Sequence, residues 1–107
     1  MDEYKAIKKY IPMTETMFFI LLSLQQEHHG YGIMQNVKQV TGGRIVLGAG
    51  TVYNSLSRLE KDRMIKAVSE DDRRKTYIAT ELGRKILKIE AKRIGELYMN
   101  IKSVLEE

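Results

Sequence analysis

Apolar and polar positions alternate along this chain with the periods of both helices and strands. Residues 13–27 are apolar on most sides, which predicts a helix buried in the core, with Thr14 or Thr16 as its N-cap. Residues 31–40 carry apolar side chains at the spacing of one helical face, which predicts a second helix. Its apolar stripe consists of Ile33, Val37 and Val40.

A third helix is predicted over residues 51–63, after a short β-like run at residues 44–47 that has glycines on both sides. The apolar stripe of this helix is narrow, and the opposite face is polar, basic and rich in hydrogen-bond donors. That face carries Thr51, Asn54, Ser57, Arg58 and Lys61, with Tyr53 at its edge.

Two short strands are predicted next, at residues 65–69 and 75–79, with a charged turn over residues 70–74 between them. Thr80 is then the expected N-cap of a helix that runs to residue 105. A helix of that length spans roughly 39 Å. Gly83 lies inside it, where glycine costs about 1 kcal/mol relative to alanine. We therefore expect another element to approach Gly83 closely near the hairpin.

The last predicted helix carries a heptad seam of apolar residues. Leu87, Ile94 and Ile101 recur every seven residues, and further apolar residues fall three positions after two of them. Glu90 occupies one of the intervening positions. The pattern predicts that two copies of the chain pair through this helix, with residues 4–11 packed across the same interface. The predicted dimer contacts are Leu87, Ile94, Leu97, Tyr98, Ile101 and Val104.

These elements together predict a mainly α fold with a small β-hairpin, in the order of a winged helix-turn-helix followed by a long C-terminal dimerisation helix. We expect residues 1–79 to form the DNA-binding unit and residues 80–107 the dimerisation helix, within one compact domain. A helix with a donor-rich outer face fits the major groove of duplex DNA, which is about 12 Å wide. The hairpin can reach the flanking backbone or the minor groove.

The distribution of charge supports a polyanionic partner. The net charge is +4, while residues 1–43 and residues 86–107 are each neutral, with four basic and four acidic side chains. Residues 44–85 carry ten basic and six acidic side chains, so the whole excess lies in the middle of the chain. A local basic excess between neutral flanks is typical of a surface that binds nucleic acid.

The candidate DNA contacts come from the predicted helices and the hairpin tip. Basic and amide side chains on the third helix can bind phosphates or base edges. Tyr31 and Tyr53 either offer their hydroxyls to phosphates near helix starts or pack their rings in the core, and the sequence leaves both readings open. Arg73 and Arg74 are flanked by acidic residues that repel phosphate. The full set of predicted contacts is Tyr31, Thr51, Tyr53, Asn54, Ser57, Arg58, Lys61, Arg73, Arg74 and Lys75.

Other classes of protein find little support in the residues. The chain has no cysteine, which excludes disulfides and cysteine-ligated zinc and fits a cytoplasmic protein. An acidic pair stands where a signal peptide is basic, and the longest apolar run is far shorter than the about 20 residues that cross a bilayer. We therefore expect neither export nor contact with a membrane.

Catalytic and metal-binding patterns are also missing from the sequence. It has no serine, histidine and acid at suggestive spacing and no glycine-rich phosphate loop, so we expect no enzyme and no cofactor. His28 and His29 are adjacent and have no evident third ligand, which indicates structural histidines rather than a metal site.

Three motifs, in order and at natural spacing, resemble one family. His29-Gly30-Tyr31-Gly32-Ile33-Met34 is similar to the HGYxI signature of the PadR family of bacterial regulators. The run from Gly50 to Glu60 resembles that family's GTLYxxLxRLE recognition helix. The run Arg73-Arg74-Lys75-Thr76-Tyr77, followed by Thr80-Glu81-Leu82-Gly83, is similar to its RRxYxxTxxG pattern. The resemblance covers roughly residues 13–90, and it departs at Arg63 and Met64, where glycine and leucine are common.

The resemblance implies a homodimer joined through the C-terminal helix that reads duplex DNA as an inverted repeat. It also implies a small apolar or aromatic effector that releases the DNA, which we expect to bind near the dimer axis beside Tyr98 and Met99. We therefore interpret the chain as a dimeric transcriptional repressor. The alternative is a winged-helix module whose basic face docks an acidic protein partner.

Overall fold

The fold is mainly α-helical with one two-stranded antiparallel hairpin, which confirms the predicted fold class. A computed structural model describes residues 1–71 and 74–107 of the chain. Its elements are α1 (Glu3–Tyr10), α2 (Glu15–Ser23), α3 (Gly30–Val40), α4 (Ala49–Lys61), β1 (Ile65–Asp71), β2 (Arg74–Ala79) and α5 (Glu81–Leu105). We call the hairpin of β1 and β2 the wing.

The core lies where α2, α3, α4 and the first half of α5 pack together beside the wing. The apolar stripes expected for the second and third helices are buried, except that Val40 is 57% exposed at the end of α3. The largest buried apolar side chains are Ile20, Leu21, Leu24, Ile33, Leu56, Leu59, Met64, Ile65 and Ile86.

α1 is a helix that the apolar pattern did not reveal. Asp2 caps it, because its carboxylate accepts a hydrogen bond from the backbone N–H of Lys5 at 2.8 Å. Ala6 and Tyr10 are its buried residues. Ile7 and Ile11 pack partly against the core of their own chain. Ala6 and Tyr10 are four positions apart on one face, so the helical spacing is present in the sequence, but the burial of that face depends on contact with distant α5.

α2 ends at Ser23, so the prediction of a helix over residues 13–27 is wrong at that end. The carbonyl of Leu24 accepts a hydrogen bond at 2.8 Å from the backbone N–H of Ala79 in the wing. Further on, His28 and Tyr77 exchange two backbone hydrogen bonds, of 3.1 and 2.9 Å. The chain after α2 therefore bonds to the wing instead of continuing the helix.

Hydroxyl residues cap α2 and α5 as the sequence predicts. The Thr14 hydroxyl accepts from the backbone N–H of Met17 at 3.2 Å, so α2 begins at Glu15 rather than at residue 13. The Thr80 hydroxyl accepts from the backbone N–H of Gly83 at 3.1 Å, and α5 runs to Leu105 as expected.

The β-like run at residues 44–47 is not a strand, and that prediction is wrong. Within the described chain no strand pairs with it, and an unpaired extended segment has no ladder to satisfy its backbone. Instead the Thr41 hydroxyl accepts from the backbone N–H of Ile45 at 3.1 Å. Leu47 contributes to the core with 6% exposure and Ile45 packs partly against it, while Val46 is 68% exposed.

The turn after α4 explains why α4 ends at Lys61 and not at residue 63. The backbone N–H of Met64 donates to Leu59 at 2.9 Å, and that of Arg63 donates to Glu60 at 3.0 Å, which is the bonding of a Schellman motif. Arg63 has φ +60°, the left-handed conformation that favours glycine. The turn thus places a non-glycine residue in the conformation that glycine adopts most readily, at the steric cost of a side chain.

The wing is longer than the two predicted strands, and its pairing runs from Ile65 opposite Ala79 to Asp71 opposite Arg74. The Glu27 carboxylate accepts hydrogen bonds from the hydroxyls of Ser69 at 3.2 Å and Thr76 at 2.5 Å. These bonds attach the wing to the connection between α2 and α3.

The start of α5 packs tightly against the start of the wing, as the glycine inside the predicted helix indicates. A Cβ atom built on Gly83 would lie 2.0 Å from the carbonyl oxygen of Met64. That same oxygen accepts from the backbone N–H of Thr80 at 3.0 Å. The absence of a side chain at Gly83 therefore lets α5 approach the backbone that leads into β1.

Glu90, the acidic residue within the predicted heptad seam, forms its hydrogen bonds inside its own chain. It is fully buried, and its carboxylate accepts from the backbone N–H of Met13 at 2.5 Å and from two guanidinium nitrogens of Arg93 at 2.5 and 3.0 Å. The hydrogen-bonded guanidinium of Arg93 holds the pKa of the Glu90 carboxyl below its usual value. Glu90 thus joins α5 to the turn before α2.

The two halves of α5 have different surroundings. Leu87 is 5% exposed and belongs to the core of its own chain, although its heptad position predicts a place in the dimer seam. From Ile94 onwards the apolar residues of the seam are solvent-exposed. Their exposed fractions are 38% for Ile94, 49% for Leu97, 53% for Tyr98, 47% for Ile101 and 62% for Val104.

Candidate nucleic-acid interface

Five predicted DNA contacts lie together on the exposed side of α4. The helix is anchored by its apolar stripe, because Val52, Leu56 and Leu59 are at most 1% exposed. The opposite side is open to solvent and carries Thr51, Asn54, Ser57, Arg58 and Lys61, which we call the recognition face. The structure thus presents donors and positive charge on one continuous helical surface of the size that a major groove admits.

The start of α4 is unobstructed. Its N-cap, Gly48, makes no side-chain hydrogen bond to the first turn. A Cβ atom at Gly48 or Gly50 would meet no other atom within 4 Å. A molecule can therefore approach these two positions without meeting another part of the chain, at a helix start whose first N–H groups have no partner within the helix.

Tyr53 of α4 and Tyr31 of α3 are two exposed tyrosines close to the contact between these helices. The Tyr53 ring lies against Gly30, where an added Cβ would come within 2.7 Å of the ring, yet Tyr53 is 53% exposed. Tyr31 is 59% exposed and stacks beside the His29 ring at 6.4 Å. The structure thus unites the two readings left open for Tyr53: one side of its ring packs, and much of the residue remains accessible.

His29 has the structural role that the sequence predicts for it. Its Nδ1 accepts from the backbone N–H of Gly32 at 3.0 Å and so caps α3. Among the residues that the structure describes, no group of three His, Cys, Asp or Glu side chains could hold a metal ion.

Arg58 contacts Tyr10 of α1, a residue that was not among the predicted site residues. Its guanidinium carbon lies 5.5 Å from the centroid of the Tyr10 ring. The Tyr10 hydroxyl donates to Asp62 at 2.6 Å, and the Lys9 ammonium lies 2.6 Å from the same carboxylate oxygen. We call Lys9, Tyr10, Arg58 and Asp62 the α1–α4 cluster. One sequence signal for it was an acid at a helix C-terminus, where the helix dipole disfavours negative charge.

Electrostatics in the α1–α4 cluster keep Asp62 ionised. Burial by itself would raise the pKa of Asp62, but hydrogen bonds from Lys9 and Tyr10 and the charge of Arg58 outweigh burial and lower it. Burial, followed by the hydrogen bond to Asp62, raises the pKa of Tyr10 above its usual value, so its hydroxyl remains a donor.

The wing places two further predicted contacts on the protein surface. Arg74 and Lys75 lie at the start of β2, and both are exposed. Their backbones stand opposite Asp71 and Glu70 in the pairing of the hairpin. Arg73, also predicted to contact DNA, lies outside the described residues.

An open pocket of about 670 Å³ lies between α3 and the turn that precedes α4. Tyr31, Lys38 and Val46 are among its lining residues. A molecule bound there would stand beside Tyr31, one of the predicted DNA contacts.

No helix in the described part of the chain is long and apolar enough to span a bilayer.

The sequence matches a known family over most of its length. Residues 20–89 match the transcriptional regulator PadR-like family. An uncharacterized 37.1 kDa protein in transposon TN4556 of Streptomyces fradiae is 36% identical over 69 residues. The match covers 64% of this chain but only 19% of that relative. α1 and the second half of α5 lie outside the family match.

Solved structures have the same fold. A transcriptional regulator from Clostridium thermocellum superimposes with a TM-score of 0.70 at 26% identity, over 96% of this chain and 97% of that one. A PadR-like transcriptional regulator from Bacillus cereus gives a TM-score of 0.71 at 19% identity, over 96% of this chain and 98% of the other. The fold is therefore shared with these regulators over 96% of the chain.

Proposed function

Since the chain belongs to the PadR-like family of transcriptional regulators and is therefore a DNA-binding regulator rather than an enzyme, we propose that it is a homodimeric repressor that reads an inverted repeat. The observation that carries this proposal is the recognition face, on which five polar or basic side chains stand on the open side of α4 above a fully buried stripe. Such a helix lies in the major groove with its donors toward base edges and phosphates.

The surroundings of α4 supply the phosphate contacts in this proposal. Tyr53, on α4, and Tyr31, at the start of α3, both have more than half of their surface exposed. Arg74 and Lys75 extend the positive surface onto the wing, which can reach the backbone or minor groove beside the recognition face. Phosphate contacts of this kind set the position of the protein on the duplex, while the recognition face reads the bases.

The dimer is proposed from the exposed half of α5. Several large apolar residues on one surface-exposed helix segment are typical of an interface rather than of a monomer surface. In this proposal residues 1–79 hold the DNA and residues 80–107 join the protomers, although the start of α5 also completes the core. Two α4 helices related by a two-fold axis match half-sites one helical turn, or a multiple of it, apart. A regulator of this kind acts in the cytoplasm, where it meets the DNA.

We expect Lys61→Ala to weaken operator binding and to flatten its dependence on salt. Lys61 is exposed on the recognition face, so its ammonium can neutralise one phosphate in each protomer. The slope of log K against log salt should fall in magnitude by about 0.9 for each phosphate contact that is lost. The measurement is fluorescence anisotropy on a duplex recovered by genomic pull-down, over a series of salt concentrations.

The matched control for this experiment is Lys92→Ala, which removes the same charge from an exposed position of α5. Screening limits its effect, because the Debye length is only about 8 Å at physiological salt. If Lys61→Ala and the wild type gave the same slope, Lys61 would not contact phosphate. If the wild type bound no duplex but captured acidic proteins, the basic surface would be a protein-docking face.

We further propose that a small apolar or aromatic molecule binds beside the exposed half of α5 and releases the DNA. Tyr98 and Met99 stand there with 53% and 64% of their surface exposed. A thermal-shift screen of metabolites and drugs should find a compound that raises the melting temperature, and gel shifts should show that it releases the operator. A compound whose effect survives Tyr98→Ala but not Val46→Gln would move the site to the pocket beside α3.

A further inference from the structure

We propose that Tyr10 is a positioning residue for DNA recognition, because it holds the Arg58 guanidinium in place at the edge of the recognition face. The inference rests on the proposed function, in which this face lies in the major groove. It assigns a role to α1, which lies outside the residues that match the family.

The contact between Arg58 and Tyr10 limits the freedom of an otherwise mobile side chain. The guanidinium carbon is 5.5 Å from the ring centroid, within the range of a cation–π interaction. Arg58 is itself exposed, so water and DNA can reach the guanidinium, while the Tyr10 ring behind it is only 4% exposed. A planar guanidinium resting on a buried ring presents a restricted set of orientations to a partner.

Tyr10 is in turn fixed by Asp62. Its hydroxyl donates to the carboxylate at 2.6 Å across 52 positions of sequence, and Lys9 pairs with the same carboxylate oxygen. Asp62 is the C-cap of α4, where the dipole disfavours an acid. Capping alone therefore does not explain why an acid stands there. Its bonds to Lys9 and Tyr10 instead clamp α1 to the end of the helix that carries Arg58.

This arrangement prepares Arg58 for contacts that need a defined orientation. Arginine reads guanine by two parallel hydrogen bonds, which require the guanidinium plane to be aligned with the base. Ordering a free arginine side chain on binding costs entropy, and a side chain that is already ordered avoids part of that cost. We therefore infer that Tyr10 increases both the affinity and the base selectivity of Arg58 without touching DNA.

The test is a double-mutant cycle on the full chain, read out by anisotropy with the operator and with operators altered at single base pairs. Tyr10→Leu should weaken operator binding by about 5–10-fold and relax the preference at the base pair that Arg58 contacts. In the Arg58→Ala background Tyr10→Leu should cause no further loss. Gln26→Leu is the control, because Gln26 is exposed and lies outside α1, the recognition face and α5.

Two further variants separate positioning from folding. Tyr10→Phe keeps the ring and removes only the hydroxyl, so it tests the anchoring by Asp62 even if Tyr10→Leu does not fold. It should give a smaller loss of about 2–3-fold, which again should vanish in the Arg58→Ala background. Arg58→Lys keeps the charge but not the planar guanidinium, so it should retain the salt dependence of binding and lose the base preference.

The outcomes distinguish this inference from the proposed function. Losses from Tyr10 variants that persist unchanged in the Arg58→Ala background would overturn the positioning role, as would variants that bind like the wild type. If the wild type showed no preference for any duplex while remaining folded and dimeric, the proposed function itself would fail.

Discussion

Truncation of the chain after Gly95 should abolish the dimer and lower operator affinity by about 10²–10⁴-fold, the range over which a second linked binding unit strengthens binding. The deletion removes residues 96–107 and with them most of the exposed apolar surface of α5. It keeps Arg93, whose guanidinium is bonded to the buried carboxylate of Glu90. Removal of Arg93 would leave that carboxylate with its Met13 bond alone and would confuse loss of the dimer with loss of the fold.

The physical reason for this prediction is the division of α5 into two halves. Its first half contributes Ile86 and Leu87 to the protomer core, and its second half has no partner within the described chain. Burying that second half against another copy removes apolar area from water, at about 25 cal/mol per Å². Sedimentation velocity at micromolar concentration and anisotropy with the operator measure the two consequences separately.

A full-length variant tests the same assignment even if the truncated chain unfolds. Leu97→Gln combined with Ile101→Gln places neutral, helix-compatible side chains on the seam without a change of charge. Ser103→Gln is the control, since it makes a similar substitution at an exposed polar position of the same helix. We expect a folded monomer from the double variant and a normal dimer from the control. A double variant that remained dimeric and bound the operator normally would refute the assignment of α5 as the dimer element.

Gly83→Ala should destabilise the protein by about 3 kcal/mol, at the upper end of the range for overpacked cores. The added methyl group would lie 2.0 Å from the Met64 carbonyl oxygen, which is backbone and cannot rotate away. Either α5 shifts and the Thr80–Met64 hydrogen bond lengthens, or the turn into the wing is displaced. The gain of about 1 kcal/mol in helix propensity offsets only part of this cost. Thermal unfolding by circular dichroism should show a loss of roughly 10–20 °C.

Gly50→Ala is the matched control for that measurement. Gly50 also lies inside a helix, but a Cβ atom built on it meets nothing within 4 Å. The same substitution should therefore leave the melting temperature unchanged or raise it, with a gain of at most about 1 kcal/mol. Equal stabilisation by both substitutions would show that α5 and the wing are not in close contact at Gly83.

Much of the fold could be predicted from local pattern. The apolar spacing of α3 and α4, the hydroxyl caps of α2 and α5, and the order of helices before and after the hairpin are all encoded within about ten neighbouring residues. The recognition face was predictable for the same reason, because its five residues stand on one helix opposite a stripe that had to be buried. No distant partner is needed to place them.

Elements that depend on distant partners could not be predicted this way. α2 ends at Ser23 because its C-terminal segment bonds to the wing, and residues 44–47 are irregular because no described strand lies beside them. Ala6 and Tyr10 of α1 are buried because α5 covers that side of the helix. The apolar pattern of a segment predicts which side chains are buried. It does not predict which backbone groups elsewhere in the chain will pair with the N–H and C=O groups of that segment.

By itself the sequence determined the class of fold and the exposed face of α4, since both follow from side-chain periodicity within single elements. Only the tertiary structure decided that Leu87 belongs to the core, that Glu90 is bonded to Met13 and Arg93, and that Arg58 rests on Tyr10. Asp62 and Tyr10 are separated by 52 positions. The bond between them exists because α1 packs beside the end of α4, and no local pattern contains the packing of two helices so far apart in the chain.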